Sequence, residues 1–221
     1  MIHVDNYISE LTAKLKENFG SRLCYVGLQG SYLRGEASEN SDIDIMVIID
    51  GLDVPDLDAY RRIIEAMPHF DKSCGFICSR RDMKNWNPME VCHVLHTTRD
   101  YFGVLGDLVP AYTEQDVRNF VKMSVNNLYH EICHRYIHAD DETNSTFLPG
   151  TYKAVFFILQ NLHYLRHGVF IGTKAEVLAV LDGADRAVLE RSMAMNRGDS
   201  FDFSDSFRLL FNWCRDTMEN L

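Results

Sequence analysis

Residues 26–49 read V-G-L-Q-G-S-Y-L-R-G-E-A-S-E-N-S-D-I-D-I-M-V-I-I, and this stretch decides how the first half of the chain is built. Leu23 to Leu28 is strand-like, Gly30 to Ser41 is polar and glycine-bearing, and residues 42–49 alternate before running apolar. That last pattern is expected of a strand that passes from a site into a core. Residues two apart on a strand point to the same face, so Asp42 and Asp44 present their carboxylates side by side. Two crowded carboxylates repel, which costs stability unless a cation lies between them. Hard oxygen ligands favour magnesium, which takes one or two carboxylates and fills its shell with water and substrate phosphates. Gly30-Ser31 follows the preceding strand directly. A glycine there lets the backbone approach a ligand, and a short helix after it aims free N–H groups at an anion. A phosphate cradle beside a divalent-metal site is the equipment of phosphoryl or nucleotidyl transfer.

Outward from this stretch, the first 20 residues predict an amphipathic helix with Val4, Ile8, Leu11 and Leu15 on one face. Asp56 to Met67 reads as a helix and Ser73 to Cys78 as a third strand. From Asn87 the pattern turns helical, with Pro88 suited to a first helical position. The longest amphipathic stretch runs from Thr113 to about His138, followed by a loop over Asp140 to Gly150 and a helix from Tyr152 to about Arg166. Shorter helices are expected over Lys174–Leu181, Ala184–Met195 and Phe203–Met218. Strands first and helices later predict an α+β chain, a small mixed sheet followed by an all-helical half.

Composition narrows the function. The 221 residues carry 32 acidic against 22 basic side chains, a formal net charge of -10. That balance argues against broad nucleic-acid binding, which needs a basic face to displace counterions, and against adhesion to anionic membranes. The longest apolar runs are too short to span a bilayer, and the start M-I-H-V-D-N-Y-I-S-E lacks the pattern of a secretory signal. Six cysteines without C-x-x-C spacing read as free thiols, so a cytoplasmic protein is expected, as a monomer or an oligomer.

The segment G-S-Y-L-R-G-E-A-S-E-N-S-D-I-D-I resembles the signature of the DNA polymerase β-like nucleotidyltransferase superfamily. The resemblance implies that Gly30, Ser31 and Ser41 hold the nucleoside triphosphate while Asp42 and Asp44 bind magnesium, as two ions. It divides the chain into a catalytic domain over residues 1–100 and a helical substrate- and nucleotide-binding domain over 101–221. The helical half is similar to that of aminoglycoside and lincosamide nucleotidyltransferases, through F-I-L-Q-N-L-H-Y-L-R-H-G-V-F-I-G-T-K-A-E-V-L at 157–178. By that likeness Lys174 reaches the triphosphate, with Lys153 as a second cation. Residues 96–103 resemble the hinge between the two halves. The expected reaction moves a nucleoside monophosphate, AMP from ATP, to a hydroxyl of a small molecule such as an aminoglycoside-like antibiotic. The alternatives are nucleotidylation of a protein, as in the minimal antitoxin enzymes, and a nucleotide-binding regulator.

The resemblance also implies a third carboxylate on a neighbouring strand, and Asp71 is the candidate. In D-K-S-C-G-F-I-C, however, Cys74 or Gly75 filling that slot is the competing reading, with Glu90 next in line. H-E-I-C-H at 130–134 matches the zinc-protease pentapeptide, with both histidines on one helical face. No third ligand follows downstream, and lining a cleft with Tyr129, His130 or Glu131 is the better expectation.

Overall fold

The computed structural model describes residues 2–221, which divide into two compact units, one ending at Tyr112 and one spanning Thr113–Leu221. The first unit opens with α1, Val4–Phe19, whose Tyr7, Ile8, Leu11, Leu15 and Phe19 are buried at helical spacing. Then follow β1 (Leu23–Leu28), α2 (Gly30–Arg34), β2 (Ile43–Ile49), α3 (Val54–Glu65), β3 (Ser73–Ser79), α4 (Arg80–Lys84), α5 (Pro88–His96) and β4 (Arg99–Phe102). The sheet order is β3-β2-β1-β4. β1 is antiparallel to β2 and to β4, while β2 and β3 are parallel, so the sheet is mixed.

α3 is the crossover that a parallel pair requires. Its start is written in the sequence: Asp53 and Asp56 form a reciprocal capping box around Val54 and Pro55. One face of the sheet buries Ile43, Ile45, Val47 and Ile49 with α1 and with Tyr60, Ile63 and Ile64 of α3. The other buries Tyr25, Met46, Ile48 and Cys78 with Met83, Leu105 and Leu108. Strand alternation separates the two sets on β2, and it puts Asp44 in line with Met46 and Ile48.

Residues 99–102, expected in the hinge, are instead an edge strand. Val26, Gly27 and Leu28 pair with Phe102, Asp100 and Arg99. The sheet therefore runs past residue 100, and the units divide after Tyr112. Tyr25 shows what holds this edge: its buried hydroxyl donates to Asp100 Oδ1 at 2.6 Å.

The second unit is all helix: α6 (Glu114–His138), α7 (Asp141–His167), α8 (Lys174–Val180), α9 (Gly183–Arg197) and α10 (Phe203–Glu219). Its core gathers Val121, Val125 and Leu128 of α6, Tyr152, Phe156 and Leu159 of α7, and Trp213 of α10. Polar groups inside it are matched, the Tyr152 hydroxyl donating to Ser206 O at 2.7 Å and Trp213 Nε1 to Asp185 Oδ1 at 2.7 Å. The expected loop over 140–150 is helix. Asp140 caps α7 by accepting from the Thr143 N–H at 2.8 Å, and the helix continues through Pro149. An interior proline costs about 3 kcal/mol. Burial of Asn144, Leu148, Thr151 and Tyr152 along one face of α7 outweighs it.

Candidate active site

The site is built where β1 ends and β2 begins. Gln29 leaves β1 extended, and its N–H donates to Asp44 O at 2.9 Å, which ties the loop to β2. The Gln29 side chain donates to Thr98 Oγ1 at 2.8 Å, so the same turn is held from the β4 side. Gly30 then takes a φ of +70°, the left-handed region, as the first residue of α2. A methyl group placed on it would lie 1.9 Å from Asp44 Oδ2. The Asp44 carboxylate thus rests against bare backbone, and any side chain at residue 30 would occupy its place. This pairing of a glycine with the second aspartate of D-x-D, fourteen positions on, is invisible to either motif read alone.

Electrostatics identify Asp44 as the stressed group. Burial pushes its pKa up; a hydrogen bond from the Cys74 thiol pulls it back, the charge of Asp42 raises it again, and Arg34 lowers it. Asp42, one residue before β2, therefore lies within the field of Asp44. Arg34, at the end of α2, is a cation of the site that sequence reading passed over. It pairs with Glu36 at 2.9 Å, and its charge also reaches His93 on α5, which burial holds at about 4. Its signal was in the motif: G-S-Y-L-R puts the guanidinium one helical turn beyond the cradle.

The slot across from Asp44 belongs to Cys74. The parallel register pairs Asp44 with Cys74 and Ile43 with Ser73, and Gly75 stands opposite Ile45. Asp71 sits outside β3, exposed in the short 3-10 turn Phe70–Lys72, so it is not the strand residue beside Asp44. Burial and the Asp44 charge push the Cys74 thiol up, so it stays protonated at neutral pH and cannot serve as a base there. Glu90 is engaged elsewhere, accepting from Trp86 Nε1 at 2.5 Å.

Of the other expected residues, Ser31 lies in the first turn of α2, and the Ser41 hydroxyl accepts from the Ser38 N–H at 2.9 Å, closing the polar loop. Lys153 and Lys174 belong to the helical unit. Lys153 is exposed on α7, and Lys174 opens α8 with Nζ 5.5 Å from the centre of the Phe156 ring. His130 and His134 are exposed on α6, their ring centres 6.1 Å apart, and Glu131 pairs with Arg135 at 3.0 Å. Among the described residues no three His, Cys, Asp or Glu side chains converge to hold one metal ion, so H-E-I-C-H forms no zinc centre there. No described helix is long and apolar enough to cross a membrane.

Comparison with known proteins bears on the family and the fold. Residues 8–73 match the nucleotidyltransferase domain family, a span that holds β1, the Gly30 turn and both aspartates. A putative protein adenylyltransferase of Methanocaldococcus jannaschii is 31% identical over 99 residues, covering 42% of this chain and 67% of that protein. The protein adenylyltransferase MntA of Thermococcus cleftensis is 45% identical over 60 residues, which are 26% of this chain and 57% of that one. The curated relatives are thus spanned over little more than half to two thirds of their length. In fold, the chain is similar over 97% of its length to the spectinomycin adenyltransferase AAD(9) of Enterococcus faecialis, solved with ATP and spectinomycin. There the TM-score is 0.61, the identity 14%, and 99% of that protein is covered. The domain match over residues 8–73, together with a relative 31% identical and covered over 67% of its length, places the chain in the nucleotidyltransferase family as an enzyme of the DNA polymerase β-like kind.

Proposed function

We propose that the chain transfers AMP from ATP to a hydroxyl, with Gly30 and Ser31 holding phosphates and Asp42 and Asp44 at the reacting end. The observation that carries this reading is the packing of Asp44 against Gly30, which joins cradle and carboxylates in one site. The donor set suits magnesium: two hard carboxylates within each other's field, one of them stressed by burial and by its neighbour, with no cluster of three His, Cys, Asp or Glu ligands among the described residues. Asp42 and Asp44 would hold the ion, which would supply charge neutralisation of the triphosphate. The free N–H groups at the start of α2 and the Ser31 hydroxyl orient the phosphates, and Arg34 adds positive charge nearby. In the transfer the acceptor oxygen bonds to the α-phosphorus, the bond from that phosphorus to pyrophosphate breaks, and the hydroxyl proton passes to solvent. Lys153 and Lys174 of the helical unit are further candidates for the triphosphate, and residues 113–221 for acceptor binding.

The acceptor we favour is a polypeptide hydroxyl, because the relatives above 30% identity carry the name protein adenylyltransferase. A small hydroxylated acceptor of the aminoglycoside kind is the second reading, supported by the likeness of residues 157–178 to the antibiotic-modifying enzymes. Magnesium-dependent pyrophosphate release from each of the four NTPs tests both, with polypeptide and antibiotic acceptors and an Asp42→Ala/Asp44→Ala control. Release that requires ATP and an acceptor, and vanishes in the control, is the expected result. Absence of nucleotide binding would sink the reading.

A further inference from the structure

One edge of the sheet is open beside Asp44. β3 is an end strand with β2 on one side; the Ser73 N–H turns back to Phe70 O, and among the described residues no backbone–backbone bond leaves the pair from Cys74 to Ile77. Edge strands are normally blunted by charge, proline or a bulge. S-C-G-F-I-C-S has no charge and no proline, and its register against β2 is unbroken from Ser73 to Ser79. Cys74 and Gly75 are exposed on it, and Phe70, just before it, is 45% exposed. Alongside lies a cavity of about 280 Å³ lined by Tyr60 and Ile64 of α3 and by residues 73–77.

From these features we infer that the free edge of β3 receives an extended segment of the acceptor polypeptide as a fifth strand, one side chain entering the cavity. The inference rests on the polypeptide reading of the acceptor given above. A row of backbone donors and acceptors at strand spacing is satisfied by another extended backbone and by no small molecule. The edge is also continuous with the reacting end, since Cys74 stands between it and Asp44 in the register.

Alternation then does the positioning. The cavity lies on the α3 face, where Ile43 and Ile45 are buried, whereas Asp44 points to the opposite face with Met46. Consecutive side chains of an added strand point to opposite faces. A residue that fills the cavity therefore sends its neighbour to the Asp44 face, above Cys74. The added strand lies two inter-strand spacings of about 4.8 Å from β2, so a long hydroxyl-bearing side chain such as tyrosine is the one that reaches. The small side chains of Ser73 and Cys74 and the bare Gly75 leave the path clear.

The probe is a nine-residue peptide, Lys-Thr-Val-Thr-Tyr-Thr-Val-Thr-Lys, added to the full chain with ATP and magnesium. Two versions are N-methylated at alternate residues, one set in each register. Amide hydrogen exchange at residues 73–78 is expected to slow at least tenfold with the parent peptide, and to remain slow with one methylated register only. AMP should be found on the tyrosine under the same conditions. Unchanged exchange, or equal behaviour of the two registers, overturns the docking. Protection that rises with protein concentration in the absence of peptide shows a second copy on the edge and overturns it too. Protection without AMP on the tyrosine, while a small acceptor is labelled, overturns the acceptor role and leaves nucleotidyl transfer standing. Labelling of no acceptor at all instead sinks the function on which the inference rests.

Discussion

Gly30→Ala separates the two demands that the site places on one residue. Gly30 has a φ of +70°, and an added methyl would lie 1.9 Å from Asp44 Oδ2. Holding a non-glycine residue in that region costs about 1–2 kcal/mol. Displacing the Asp44 side chain from its rotamer adds about 0.5–1.5 kcal/mol. Together these make roughly 1.5–3.5 kcal/mol, which for a chain of this size lowers Tm by roughly 3–14 °C. The activity loss should be larger in proportion, because moving a positioning carboxylate by about 1 Å costs on the order of 100-fold. Gly35→Ala is the matched control: its φ is +69°, and nothing lies within 4 Å of an added methyl. It carries the backbone strain without the collision, so it should lower Tm by roughly 2–8 °C and leave most of the turnover. Thermal melts and pyrophosphate release at saturating ATP measure both quantities. Equal activity in the two alanine variants would refute the claim that Asp44 rests on Gly30.

Three further outcomes are expected. Asp44→Asn should raise Tm at pH 7 while abolishing transfer: an acid whose folded pKa is raised is destabilising once ionised, so the wild type loses stability as pH climbs through that raised value; an unchanged or lower melting point would contradict the buried strain. For His93 the sign reverses: burial, then Arg34 and His96, hold it at about 4 against an ordinary 6.5, so the unfolded chain binds the extra proton between those values. Its contribution, about 3 kcal/mol, is complete above pH 6.5 and is lost as pH falls to 4; urea midpoints at pH 7 and pH 4.5 should converge in His93→Gln, and an unaltered gap would count against it. Pro149→Ala should stabilise the chain by about 1–3 kcal/mol if α7 is continuous through residue 149, whereas a loop at 140–150 would leave the urea midpoint unchanged or lower it.

The elements with strong local signals were legible in the sequence. β1 and β2 announced themselves through alternation and apolar runs, and α6 through its long apolar stripe from Thr113, whereas α3, expected from Asp56, begins at Val54 under the Asp53 cap. β4 was not legible, because R-D-Y-F has no pattern of its own and becomes a strand only by pairing with Val26, Gly27 and Leu28. Nor was the first third of α7, where Pro149-Gly150 argued for a break; contacts far along the chain bury that segment and override a local preference worth a few kcal/mol.

At the site the division is sharper. The glycine-serine turn and the D-x-D strand are short-range patterns, and strand geometry alone puts both carboxylates on one face, so the sequence by itself determined the chemistry class. Which residue stands across from Asp44 is a matter of register between strands joined by a helical crossover, and register is set by how a whole hydrophobic face is buried. Only the tertiary structure could choose Cys74 over Asp71, bring Arg34 into the field of Asp44, and leave the edge of β3 open beside them.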